Sequence, residues 1–151
     1  MSYVQRVLQS GEEIRHNASI HWIVYWPGMF FLLLACAVLI YEQAQRGGRF
    51  WLGVAGLLGV VAVVLLLREW LTWWTTEIAV TNRRVIYKEG FISRQTNEMN
   101  MDKVESVRVD QSVLGRLLDY GDVTILGTGE GFKTLKTIAG PLQLRNHITG
   151  V

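Results

Sequence analysis

The sequence predicts an α+β membrane protein: a two-helix transmembrane hairpin attached to a small, mostly β domain that ends in a short helix. Three observations lead to that class. No charged residue occurs from Trp22 to Tyr41 or from Phe50 to Leu67, and each run is about the 20 residues that a helix needs to cross a hydrocarbon core. Trp and Tyr gather at the ends of both runs. Beyond Trp74 the apolar residues come instead in short alternating runs bounded by turn formers, the pattern of strands. In 151 residues a hairpin and one modest domain leave no room for a second globular domain.

In lipid every backbone polar group must be satisfied within its own segment, so both apolar runs are expected as helices, joined by the polar stretch Glu42 to Arg49. Trp22, Tyr25 and Trp26 mark one membrane interface. Tyr41, Phe50 and Trp51 mark the other, and Trp70, Trp73 and Trp74 return the chain to the first. The hairpin is thus placed at residues 22–71, with spans at about 22–41 and 50–71. Arg6 and Arg15 precede it, Arg68, Arg83, Arg84 and Lys88 follow it, and Arg46 and Arg49 sit in its loop. Two crossings put both termini on one side, and the larger basic count there makes that side cytoplasmic. About twenty polar and mixed residues precede the first run and a second span follows it, so the run reads as an anchor and not as a cleaved signal peptide. Leu33-Leu34-Ala35-Cys36 faintly resembles a lipoprotein processing site, but the apolar run continues past it and Cys36 reads as a buried thiol. A single cysteine excludes an intramolecular disulfide and a cysteine zinc cluster.

Residues 72–151 form the β domain. Ile78 and Val80 alternate with polar neighbours, Thr81-Asn82 makes a turn, and Val85-Ile86-Tyr87 forms a second strand ending near Glu89-Gly90. Further strands are expected over Phe91 to Met99, Lys103 to Asp110, Val123 to Leu126 and Phe132 to Ile138. Ser112 is a good N-cap for a helix carrying Val113, Leu114, Leu117 and Leu118 and ending at Gly121. Pro141 opens a last helix with Leu142, Leu144 and Ile148. Before the membrane, Ile14, His16, Ala18 and Ile20 alternate with polar residues, which predicts a strand within residues 1–21. With both termini cytoplasmic, that strand can join the later sheet as its seventh, making the hairpin an insertion between the first and second strands.

Catalysis needs a nucleophile beside a base, paired carboxylates or metal ligands at a usable spacing, and no such set stands out. His16, His21 and His147 lack the partners of a zinc site and read as surface or interfacial residues. Gly127-Thr128-Gly129-Glu130-Gly131 lacks the lysine and following helix of a phosphate loop and reads as a hairpin turn. Arg83, Arg84 and Lys88 form a basic cluster about ten residues past the membrane, suited to anionic headgroups. Its alternative is a solvated turn. From Thr72 onward ten Lys or Arg stand against nine Asp or Glu, too even a balance for a nucleic-acid binder. Glu69 is the sole acid near the inner end of the second span, which argues against proton transport. Gly53, Gly56 and Gly59 recur at every third position and let a second helix approach closely, either the chain's own first span or a partner's.

Thr81-Asn82-Arg83-Arg84-Val85-Ile86-Tyr87, Gly90-Phe91-Ile92-Ser93, Val104-Glu105-Ser106-Val107, Gln111-Ser112-Val113-Leu114-Gly115-Arg116-Leu117-Leu118 and Tyr120-Gly121-Asp122-Val123 occur in that order. In this the chain resembles the bacterial pleckstrin-homology-like (PH-like) membrane protein family, and Gly11-Glu12-Glu13 followed by two spans looks like that family's usual beginning. The resemblance implies a strongly bent seven-stranded sheet or partial barrel closed by a C-terminal helix, here a short one. It also implies a small bacterial inner-membrane protein with no established enzymatic activity. The expected function is a non-enzymatic, membrane-anchored interaction module, a scaffold or accessory subunit for a membrane protein partner or for a second copy, with no cofactor. The alternative is recognition of anionic phospholipid at the cytoplasmic face.

Overall fold

The computed structural model describes residues 3–45, 49–90, 95–128 and 132–150. Among them, in chain order, are α1 (Tyr3–Val7), β1 (Ile14–Ala18), α2 (Trp26–Gln45), α3 (Arg49–Thr75), β2 (Glu77–Thr81), β3 (Arg84–Glu89), β4 (Gln95–Asn100), β5 (Val104–Asp110), α4 (Val113–Leu117), β6 (Tyr120–Gly127), β7 (Phe132–Ala139) and α5 (Pro141–Thr149). The fold is α+β. It divides into two compact units: Trp22–Thr72, and a second unit that joins Met1–His21 to Trp73–Val151.

In the first unit a 3-10 turn, Trp22–Tyr25, leads into α2. At 20 and 27 residues, α2 and α3 measure about 30 and 40 Å, and both are long and apolar enough to cross a membrane. The two helices approach at Gly28, where a Cβ would lie 2.7 Å from the Leu66 side chain, and Ala35, Ala55 and Ala62 are buried. Tyr41 meets Trp51 edge to face at 5.8 Å near the connecting loop. The large apolar side chains point outward, Ile40 and Phe50 being 71 and 72 % exposed. Cys36, expected as a buried thiol, is exposed on α2, because Ala35 takes the inward position beside it.

The second unit holds two antiparallel sheets, β1-β2-β3-β4 and β5-β6-β7. They replace the single bent sheet or partial barrel that the sequence suggested, and the described residues contain no closed barrel. The break falls after β4, where the 3-10 turn Met101–Lys103 redirects the chain and β5 pairs with β6. β1 pairs with β2, matching Asn17 to Ala79 and Ala18 to Ile78, so strands on either side of the helical pair lie in one sheet. The inner faces meet in a core of Ile78, Val80, Val85, Val123, Ile125, Leu135 and Ile138, and α5 adds Leu144 and Ile148. Each such side chain contributes about 1.5–3 kcal/mol when fully buried. Strand β2 is covered on its other face too, where Ala79 and Ile86 pack with Val4 of α1 and with Ile14.

Past β1 the chain changes sheets. Ala139 donates its amide to the Ser19 carbonyl at 3.0 Å and His21 donates to Thr137 at 2.8 Å, so residues 19–21 run beside β7. Ser112 caps α4 as expected, accepting from the Gly115 amide at 3.0 Å. Gly121 does not end that helix. It is the second residue of β6, and the reversal falls at Asp119, with φ of 55°. Four residues expected in a strand from Phe91, residues 91–94, lie outside the described residues, as do Gly129, Glu130 and Gly131 of the expected glycine turn. Deleting residues 1–20 removes α1 and β1 together; the sheet signal in an infrared melt of the full-length chain should then lose its cooperative transition, and an unchanged melt would show that the N-terminal segment is dispensable.

Candidate functional site

Of the three basic residues singled out in the sequence, Arg84 is the one the fold encloses. Alternation along β3 turns Arg84 and Ile86 to the face covered by the N-terminal segment. There the guanidinium grips Glu12 with two parallel bonds, Nε to Oε1 and Nη2 to Oε2, both 2.9 Å. Its remaining reach goes to Glu98 Oε2 at 2.7 Å and the Val7 carbonyl at 2.9 Å. Glu12 also accepts from the Gln9 amide at 2.9 Å and the Thr81 hydroxyl at 2.8 Å, and its side chain is fully buried. The hydrogen bond from Arg84 outweighs burial and holds the Glu12 carboxyl at about 2, while Glu12 in turn raises Arg84 above its usual value.

The β2–β3 turn is fixed to the same segment. Asn82 accepts from the Glu13 amide at 3.1 Å and donates to the Gly11 carbonyl at 3.2 Å. Gly11 itself has φ of 79°, a conformation that suits glycine. Gly11-Glu12-Glu13 and Thr81-Asn82-Arg83-Arg84, far apart in sequence, are therefore two halves of one fastening.

Arg83 stays exposed at that turn and lines a cavity of about 410 Å³ with Gln9, Asn82, Arg84, Asn100, Met101 and Asp102. Lys88 lies four residues along β3 from Arg84, about 13 Å away, at the end where β2 begins, and pairs with Glu77 at 3.5 Å. The fold does not bring the three cations together. The glycines of α3 show a similar separation: nothing lies within 4 Å of a Cβ built on Gly53, Gly56 or Gly59, whereas Ala55 and Ala62 form the buried stripe.

Elsewhere, Lys133 on β7 bonds Glu89 on β3 at 2.8 Å and sits 4.5 Å above the Tyr87 ring, joining the sheets. Tyr87 donates to Glu89; burial and that bond push the phenol up, which makes it a poor acid or nucleophile. Burial alone would raise Glu89, but the bonds from Lys133 and Tyr87 prevail and lower it. His16 stacks on His147 at 4.5 Å and is lowered by burial and by that neighbour. The described residues include no group of three or more His, Cys, Asp or Glu able to hold a metal, and their buried side-chain polar atoms all have partners.

Sequence reasoning missed two features. The Glu12–Arg84 pair was foreshadowed by the joint occurrence of the two motifs, but the pairing depends on β1 joining the sheet beside β2. The second is the outward apolar face of α4, where Val113 is 85 % and Leu117 79 % exposed; helical spacing defines such a face but not the direction in which it points.

Removing Glu12 takes from buried Arg84 its bidentate partner, leaving Glu98, and unpairs the Gln9 amide, so Glu12→Ala should cost about 3 kcal/mol of stability. Because Glu12 ionises at about 2 when folded against an ordinary 4.5, its contribution is complete above about pH 4.5 and fades as the pH falls toward 2. Infrared melts across that range should show an acid-dependent drop in the intact protein that Glu12→Gln flattens.

A family model described as bacterial PH domain matches residues 24–148, a stretch that takes in both long helices and every strand after β1. Neither the curated proteins nor the solved structures contain a match to the chain. With most of its length covered, and with the seven strands of the described residues in two antiparallel sheets packed against a C-terminal helix, the chain belongs to the bacterial PH domain family.

Proposed function

We propose that this PH-like protein is a non-enzymatic, membrane-anchored interaction module, a scaffold or accessory subunit of an assembly in the bacterial inner membrane. In this reading α2 and α3 cross the bilayer within residues 22–71, and residues 1–21 and 72–151 fold together in the cytoplasm. One observation carries it. In the helical unit the buried residues are small ones, Gly28, Ala35, Ala55 and Ala62, and the large apolar ones lie outside, with only 11 % of each apolar window buried, an arrangement suited to lipid and costly in water. The β unit adds what a PH-like fold supplies, a rigid platform, and no described constellation competes as a catalytic centre.

The open Gly53, Gly56 and Gly59 face supports a partner span, since nothing lies within 4 Å of a Cβ there while Ala55 and Ala62 are buried. Headgroup recognition by Arg83, Arg84 and Lys88 has less support. Arg84 is committed to two carboxylates and Lys88 lies at the opposite end of its strand. Gentle extraction from the native membrane followed by native mass spectrometry tests the reading. Stoichiometric protein partners, or a defined oligomer of the chain, are expected; a bare monomer retaining selected anionic phospholipid would put lipid recognition in its place.

A further inference from the structure

Helix α4 is turned inside out. Val113, Leu114, Leu117 and Leu118 lie at helical spacing, an apolar stripe of the kind that faces a core. The face that meets the domain is instead that of Gly115, which is buried and would place a Cβ 2.6 Å from the Tyr120 carbonyl oxygen. Gln111 secures this seat, its Nε2 donating to the carbonyls of Gly115 at 3.3 Å and Tyr120 at 3.1 Å. All four apolar side chains are consequently exposed, and Leu142 on α5, 45 % exposed, makes a fifth. A lone exposed leucine needs no account, but a group of five does.

Two observations identify what covers them. The first is position. His21, the last residue of the β unit before the first apolar helix, stacks on Tyr120 at 5.2 Å. Residues 19–21 run beside Thr137 and Ala139, and the Gly140 amide donates to Asp119 at 3.0 Å. The chain thus leaves the β unit beside the two segments that carry the patch, and β2, paired with β1 at Ala18 and Ile78, begins at this end too. The second is charge. Arg116 and Arg145 are exposed and share a depression of about 450 Å³ with Val109, Gln111, Asp119 and Leu142. Apolar side chains flanked by arginines suit an element lying in the headgroup layer, stems on the apolar surface and charges on phosphate. Asp119 offsets one of the two charges, which leaves apolar insertion as the larger attraction.

We infer that α4 and Leu142 form a docking face that inserts into the interfacial layer of the bilayer crossed by α2 and α3, with Arg116 and Arg145 on the phosphates of anionic phospholipid. The inference rests on the membrane-spanning reading of those helices. Their tether makes docking intramolecular, so weak insertion suffices to hold the domain down.

The test uses the full chain in nanodiscs of phosphatidylethanolamine and phosphatidylglycerol, with a bimane probe at Cys36, or at Leu117→Cys or Arg83→Cys in a Cys36→Ala background. Doxyl lipids report contact with lipid and aqueous iodide reports contact with water. Leu117 is largely exposed, so its replacement removes little packing. Docking requires quenching at Cys36 by deep doxyl groups, quenching at position 117 by shallow ones, and none by lipid at position 83. Arg116→Gln and Arg145→Gln should each lower the ratio of docked to undocked protein about fivefold. A probe at 117 open to iodide and untouched by lipid, with Cys36 still quenched, would overturn the docking face and leave the anchor standing. A probe at 117 closed to both quenchers would overturn it in favour of a covering protein. Loss of lipid quenching at Cys36 would remove the anchor and the docking face together.

Discussion

The pairing of Glu12 with Arg84 is the interaction on which the β unit depends. One partner lies before the two long helices and the other after them, so the pair joins two pieces of chain separated in sequence by about fifty residues. Closing a loop of that length costs entropy that local contacts within either piece cannot offset. A buried ion pair by itself is a poor source of stability, because desolvation consumes much of its Coulombic attraction. Here both carboxylate oxygens and the guanidinium are satisfied in parallel, with Thr81, Gln9, Val7 and Glu98 completing the set. The pair therefore acts chiefly as a register lock. The observed alignment of β1 on β2 brings Glu12 under Arg84, and a shifted one would leave Arg84 with Glu98 as its carboxylate partner.

That lock explains what could be read from the sequence and what could not. The apolar runs were legible because length and lack of charge define them without reference to neighbours. Alternation located β2, β3, β5 and β7 closely, since a strand with one buried face writes its period into the chain. The division into two sheets was not legible: it turns on three residues, Met101–Lys103, whose 3-10 turn has no strong local signature. Arg83 and Arg84 looked alike because adjacency in sequence does not show where a turn gives way to a strand: Arg83 stays exposed in the β2–β3 turn, and Arg84 opens β3 and points under the N-terminal segment. Gly121 was read as a helix stop on the usual preference of glycine for such positions, but its place is in β6, where a Cβ would meet the Asp110 carbonyl oxygen at 2.8 Å.

The β unit has two unlike ends. At the β2–β3 turn the polar groups are mutually satisfied and the N-terminal segment is clamped down, leaving Arg83 as an exposed charge beside an open cavity. At the other end lie the start of β2, His21 with Tyr120, and the apolar side chains of α4 and Leu142. Had the apolar face of α4 simply been a packing defect, exchange of the Gly115 face for the leucine face would correct it, but the Gln111 bonds to Gly115 and Tyr120 hold the helix in the outward orientation.

The sheet also constrains topology without any count of charges. β1 and β2 pair residue by residue from Asn17 and Ala18 to Ala79 and Ile78, so the two strands must lie on the same side of any membrane that the intervening helices cross. An even number of crossings meets that condition and an odd number breaks the sheet. Under the proposed spanning arrangement the flanking arginines would favour the same pairing of termini by a different physical route, the cost of moving cations across a bilayer. The charge rule addresses which side that is, and the strand pairing addresses only that the two strands share it. If the first helix inserted alone, β1 would be parted from β2, Glu12 from Arg84, and the inner face of the sheet from Ala18. For any helical pair that crosses a bilayer, folding of the β unit would thus require both crossings, while the pairing of β1 with β2 leaves open which side the sheet occupies.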